Sequence, residues 1–226
     1  MHILNLYSCI WSIIETFAML TVIFIFFNDP IRRWNFFGYR PTAIMAIFDP
    51  KHKKILLARK DGEPWLAFSQ GGIYNSDMNF TVKEILRREL GLDSSRFGLR
   101  YTQNLGTIKI NDPELLKRST LSSISLARGL RGKGYLACYI RANLELVEKE
   151  VQLGEGIAEV KVLDIKEARN KVEEQGKHQT PSKHGKKKQS MLLSILKEIE
   201  DILAKNKNEE ESCPSELKDS DPQSQE

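Results

Sequence analysis

Residues 65–92 read WLAFSQGGIYNSDMNFTVKEILRRELGL, and their spacing points to chemistry more than any other part of the chain. Carboxylates stand at Asp77, Glu84 and Glu89 in a stretch with helical periodicity. Val82, Ile85, Leu86 and Leu90 fall on one helical face, and Gly91 is placed to stop the helix. A carboxylate-bearing helix suits a hard divalent cation, which wants several carboxylate oxygens close together. Glutamates three or four positions apart share a helical face and supply them. Such a cation neutralises phosphate charge and activates water, which is what cleavage of a pyrophosphate needs. Gly71 and Gly72 precede the helix, where glycine lets the backbone bend sharply.

The passage resembles the Nudix box, G-x5-E-x7-R-E-U-x-E-E-x-G-U, with U aliphatic. More narrowly it looks like the branch that holds RNA pyrophosphohydrolases and dinucleoside polyphosphate hydrolases. WLAFSQGGI, starting at Trp65, stands where those proteins carry a strand resembling WQFPQGGI. Gly38-Tyr39-Arg40-Pro41 matches their GYRP-like opening. Arg131 to Leu136, RGKGYL, resembles their basic segment before a central strand. The resemblance covers residues 38–203. It implies an α/β fold, a Nudix-type α/β/α sandwich with a mixed β-sheet. It also implies hydrolysis, with Mg²⁺ or Mn²⁺, of a nucleoside diphosphate-linked substrate, either a nucleotide or an RNA 5′ pyrophosphate.

The box departs from its pattern. Gly71 opens the match and Asp77 falls at the first Glu position. Without a gap, Ile85 and Leu86 take the Arg-Glu pair, Glu89 the first paired Glu and Leu90 the second. With a one-residue deletion, Gly91-Leu92 closes the box correctly. Glu84 then takes the Arg position, Ile85 the next Glu, and Arg88 and Glu89 the paired Glu positions. The second register keeps the helix stop and the apolar face and is preferred. Both registers put Glu89 at a metal-ligand position, and both lose a neighbouring ligand. In the preferred register Glu84 and Arg88, at i and i+4, are expected to form a surface ion pair, the family's Arg-Glu contact with its charges exchanged.

The resemblance therefore implies metal ligation by Glu89, Asp77 and Glu84, and catalysis by Glu89 with Glu159, which stands like the family Glu before a late strand. Glu155 is a weaker alternative. Read as an isolated acid, each is an ordinary solvated charge. By position, Arg40, Arg59, Gln70, Gly71, Gly72 and Lys133 are candidate phosphate contacts, since Arg and Lys suit phosphate by charge and geometry. Tyr135 is a candidate for stacking on a base. KHQTPSKHGKKK, residues 177–188, is a basic tract suited to RNA or lipid headgroups, or simply a solvated linker. His178 and His184 lack partners at metal-ligand spacing.

These residues need a scaffold. Residues 42–48 and 54–59 read as strands joined by a charged turn. Residues 65–70 are short and extended, and residues 80–90 are helical. Further strands are expected at 98–101, 106–110, 134–141 and 158–163. Residues 115–131 read as a long loop, 165–175 as a short helix, and 176–190 as a polar linker. Residues 191–204 form an amphipathic helix striped by Leu192, Ile195, Leu196, Ile199, Ile202 and Leu203. Three domains follow: an N-terminal hydrophobic anchor and basic flank at 1–37, the Nudix-like domain at 38–204, and an acidic, disordered tail at 205–226.

Residues 9–27, CIWSIIETFAMLTVIFIFF, carry one charge, Glu15, and span about 28 Å as a helix. No Lys or Arg precedes them, while Arg32, Arg33 and Arg40 follow. The expectation is a single-pass membrane helix with the C-terminal domain in the cytoplasm. A buried helix and an extension that never inserts are the other readings; a signal peptide lacks its basic n-region and its cleavage site. Asp29-Pro30 ends the helix. The last stretch from Lys205 carries −4, so the remainder carries +8 of a total of +4, a basic body suited to polyanions or to plain solubility. Three scattered cysteines, Cys9, Cys138 and Cys213, make neither a zinc site nor a disulfide framework. Function thus lies between a membrane-tethered hydrolase, a Nudix-fold nucleotide- or RNA-binding module, and a membrane scaffold. The membrane is the expected partner through the N-terminal helix, and no protein partner is identifiable.

Overall fold

A computed structural model describes residues 2–73, 77–93, 97–109, 132–154, 156–178 and 183–211. The 115–131 loop and Glu155 lie outside them. In chain order the elements are α1 (His2–Asn28), α2 (Pro30–Phe36), β1 (Tyr39–Asp49), β2 (Lys54–Lys60), β3 (Leu66–Ala67), β4 (Ser69–Gly72), α3 (Met78–Leu90), β5 (Gly98–Lys109), β6 (Gly132–Arg141), α4 (Leu144–Glu150), β7 (Ile157–Asp164), α5 (Ile165–His178) and α6 (Lys183–Glu211).

The sheet is mixed. Its order is β3-β2-β1-β6-β5, with β4 also on β1 and β7 also on β2. β1 and β6 run parallel, and the other pairs are antiparallel. β1 pairs with β2 only through Phe48 and Asp49, and its first half pairs with β4 instead. The sheet therefore splits between β1 and β2 along the first half of β1.

Strand alternation sorts side chains onto two faces. Ile44, Ala46 and Phe48 of β1, Ile55 and Leu57 of β2, and Tyr135, Ala137 and Tyr139 of β6 join α5 and α6 in one core. Ala43, Met45, Ile47, Leu56, Leu136, Cys138 and Ile140 meet α2, α3 and α4 in the other. Burial on both faces explains why β1 reads as a nearly continuous apolar run. The result is the α/β/α sandwich with a mixed sheet that the resemblance implied.

Several expectations change. The strands at 98–101 and 106–110 are one strand, β5, carrying irregularities at Leu99/Tyr101 and Asn104/Gly106. Gly106 has φ 87° and marks the second of them. Residues 183–190 of the expected linker are helical, and α6 also runs past residue 205 to Glu211, into the expected disordered tail. α4 was not expected; Asn143 starts it by accepting from the Glu145 and Leu146 backbone N–H groups.

At the N-terminus Asp29-Pro30 ends α1 as expected, but it also starts a helix that was not expected: Asp29 caps α2 and Pro30 takes its first turn. Trp34 is buried against Gly134, where a Cβ would lie 2.2 Å from the indole, so α2 is docked on β6. Along α1, Trp11, Phe17, Leu20 and Phe24 are exposed. Among the described residues no helix is long and apolar enough to cross a membrane. The single-pass span expected for residues 9–27 is therefore not supported.

Candidate functional site

α3 is held against β4 with little room. Gly71 and Gly72 are strand residues, paired with Ala43 and Thr42 of β1, and neither has a positive φ. They do not form the sharp turn expected of them. Gly71 is needed for close approach instead: a Cβ there would lie 2.6 Å from Ile85 Cγ1 and 2.9 Å from the Arg88 guanidinium. At the far end of α3, Gly91 adopts φ 64° and caps the helix, as expected. The loop after α4 completes that end, with the Gln152 and Gly154 N–H groups donating to the Leu90 and Glu89 carbonyls. These contacts fix the backbone of Glu89.

The Glu89 side chain is buried, at 5% exposure. Its Oε2 accepts from the Ser69 hydroxyl and from the Gln70 N–H at 3.2 Å. Its Oε1 lies 3.5 Å from Lys60 Nζ and 3.6 Å from an Arg88 guanidinium nitrogen. One carboxylate therefore meets two cations and two neutral donors. Burying an unpaired carboxylate is costly, and this arrangement satisfies it from every side.

The other expected acids are not with it. Asp77 is the N-cap of α3 and accepts from the Asn79 and Phe80 N–H groups at 2.9 and 3.2 Å. It stands about 18 Å along the helix from Glu89 at about 1.5 Å per residue. Glu84 points about 140° around the helix from Glu89 at about 100° per residue. It pairs with Arg87 at 2.9 Å, not with Arg88 as expected, and Arg87 holds its carboxyl below the usual range. Glu159 pairs with Lys161 at 2.7 Å and with Arg59 at 3.0 Å, and hydrogen bonds from both lower its pKa. Strand alternation puts Glu159 with Leu163 on the α5–α6 face, across the sheet from α3.

Mg²⁺ or Mn²⁺ would need several of these oxygens at one point. Among the described residues no group of three or more His, Cys, Asp or Glu side chains could hold a metal ion. The one acid buried at the expected position already has its oxygens committed to Lys60, Arg88, Ser69 and Gln70. The described residues do not fit the metal that the resemblance implies.

The cationic candidates fare differently. Arg40 and Lys133 stand side by side, in register on parallel β1 and β6. Lys133 is pushed down to about 8, first by burial and then by the positive charges of Arg40, Lys60 and Lys188, with Glu63 opposing. Lys188 of α6 lies 3.7 Å from Glu63 and 5.9 Å from the Trp65 ring centre. All of these cations stand at one end of the sheet: Lys60 and Arg88 with Glu89 on the α3 side, and Arg40, Lys133 and Lys188 with Glu63 on the α5–α6 side, where Lys133 still feels the charge of Lys60.

Arg59 is not in this group, being taken up by Glu159. Gln70 contributes its backbone N–H to Glu89, and its side chain lines a small crevice with Tyr135 and Lys188. Tyr135 is buried beneath α6, and burial raises its hydroxyl to about 12, so it is not placed to stack on a base. Sequence reasoning missed Lys60, Ser69 and the true partner of Arg88, and it named Lys188 only as part of the basic tract. The adjacency of Arg88 and Glu89 was the one readable hint.

No family model matches the chain, and no curated protein does. Solved structures resemble it loosely. The Escherichia coli dihydroneopterin triphosphate pyrophosphohydrolase is 11% identical over 69% of this chain and 98% of its own, with a TM-score of 0.44. A Caenorhabditis elegans Ap4A hydrolase is 12% identical over 74% of this chain and 98% of its own, again with a TM-score of 0.44. The NUDIX domain of Shewanella oneidensis NrtR, solved with ADP-ribose, is 13% identical over 73% of this chain and 88% of its own, with a TM-score of 0.40. Likenesses this loose assign neither a family nor an activity.

Proposed function

We propose that the chain is a Nudix-type domain, built on a hydrolase plan, that takes a nucleoside diphosphate-linked ligand and turns it over slowly. The ligand class is a nucleotide or an RNA 5′ pyrophosphate. The observation that carries this reading is the arrangement around Glu89. The glycine-bearing strand, the helix and the glutamate of the box stand together beside the partly exposed Lys60 and Arg88, where we place the ligand cleft, while the other expected carboxylates are dispersed. Arg and Lys at that cleft favour phosphate oxygens. Among the described residues no second acid is positioned with Glu89 to carry a reaction step.

The full chain, purified, tests this with ADP-ribose, a dinucleoside polyphosphate and a 5′-triphosphorylated RNA. Binding with little turnover is expected. Fast turnover abolished by Glu89→Gln would instead make the domain an efficient hydrolase that uses this carboxylate. Neither binding nor turnover of any of the three would overturn the nucleotide reading.

A further inference from the structure

We infer that Lys60 and Arg88 fill with their own side chains the place beside Glu89 that a divalent cation would take, so that the cleft binds a diphosphate as a metal-free anion. This rests on the nucleotide reading above and specifies its chemistry.

Three observations carry it. Lys60 Nζ and the Arg88 guanidinium approach the same oxygen of Glu89, at 3.5 and 3.6 Å. A metal ion ligated by that oxygen at about 2.1 Å would be pressed against two fixed positive charges. The other oxygen is saturated by Ser69 and Gln70. Second, Arg88 is built into its position: its guanidinium lies where a Cβ on residue 71 would come within 2.9 Å, so Gly71 makes room for it. Third, both cations keep solvent access, with side chains 32% and 38% exposed. Lys has three donors and Arg five, so each has donors left after meeting one carboxylate oxygen.

The two cations together exceed the charge of Glu89. Lys133, Arg40 and Lys188 add theirs within electrostatic reach, with Glu63 the opposing acid. A diphosphate carries the charge this cluster lacks. A divalent cation does not, and it would compete with the cluster for the phosphate oxygens.

The test is calorimetric titration of the full chain with ADP and with inorganic pyrophosphate, each in EDTA and in millimolar Mg²⁺. ADP is expected to bind in EDTA at least as tightly as in Mg²⁺. Lys60→Gln and Arg88→Gln should each weaken binding in EDTA by about tenfold or more, the usual worth of a charged hydrogen bond. Arg88→Glu, which puts a second carboxylate beside Glu89, should weaken metal-free binding further and bring in a requirement for Mg²⁺. Circular-dichroism melts of each variant separate lost binding from lost folding, and the Gln variants keep the test open should Arg88→Glu unfold. ADP binding that requires Mg²⁺ in the unaltered chain would overturn the inference and leave the nucleotide reading standing. Pyrophosphate binding in EDTA with ADP no tighter would uphold the metal-free anion site and sink the nucleoside part of the reading. No binding of either probe would overturn both.

Discussion

Glu89 is a buried carboxylate met by cations rather than by further acids, and Arg88, its neighbour in the chain, is one of them. Lys60 then completes a pocket of donors around it. The cost of burying a carboxylate is offset locally, so the residue works as a tie between α3 and β4 whatever ligand the cleft takes. Lys133 is the titratable cation to watch. Burial, then Arg40, Lys60 and Lys188, depress it to about 8, while Glu63 pulls the other way. An anion favours the protonated form. Affinity for ADP should therefore hold steady below that pH and fall as pH rises through it, by up to about tenfold per unit. Terminal phosphates, with a second pKa of about 6, are already ionised there. Lys133→Arg keeps its charge throughout and should flatten the profile. Titrations across the range decide it; an equal fall in the variant would show that Lys133 is not the group responsible.

At the level of elements, α3 and β4 form the unit on which the site depends. The helix was legible because Val82, Ile85, Leu86 and Leu90 repeat at helical spacing and Gly91 stops it. The reason for the glycine pair was not, since a glycine serving close packing looks in sequence like one serving a turn. Ile85 is buried at 1% and cannot retreat from a side chain at position 71. Gly71→Ala would drive a Cβ to 2.6 Å from Ile85 Cγ1 and 2.8 Å from its Cδ1. The expected loss is about 1–3 kcal/mol of folding stability, the usual cost of overpacking. The urea midpoint measures this, and an unchanged midpoint would mean that α3 can slide on the strand. Other elements escaped for different reasons. The basic run at 183–190 hid the start of α6, because its apolar stripe begins only near Met191 and charge-rich sequence reads as linker. β5 was read as two strands because Gly106 interrupts it.

Across the whole molecule, what could be read was what is periodic or local: the alternating strands, the amphipathic helices, the break at Asp29-Pro30 and the cap at Gly91. What escaped was set by tertiary contact. Lys60 meets Glu89 only because the sheet splits between β1 and β2, and Lys188 reaches Glu63 only because α6 folds back over the sheet. The N-terminus poses the opposite problem, since its composition is conspicuous and its contacts are few. α2 is anchored through Trp34 on Gly134, whereas the described apolar side chains of α1, from Trp11 to Phe24, face outward. A continuous apolar surface of this kind promotes association in water. Among the described residues neither core includes a side chain of α1, so it is expected to add little to the domain. A chain lacking residues 1–28 should therefore keep the melting temperature of the full chain. It should also run as a single species in size-exclusion chromatography with light scattering, where the full chain self-associates without detergent. A large drop in melting temperature on truncation would show instead that α1 stabilises the domain through contacts along its length.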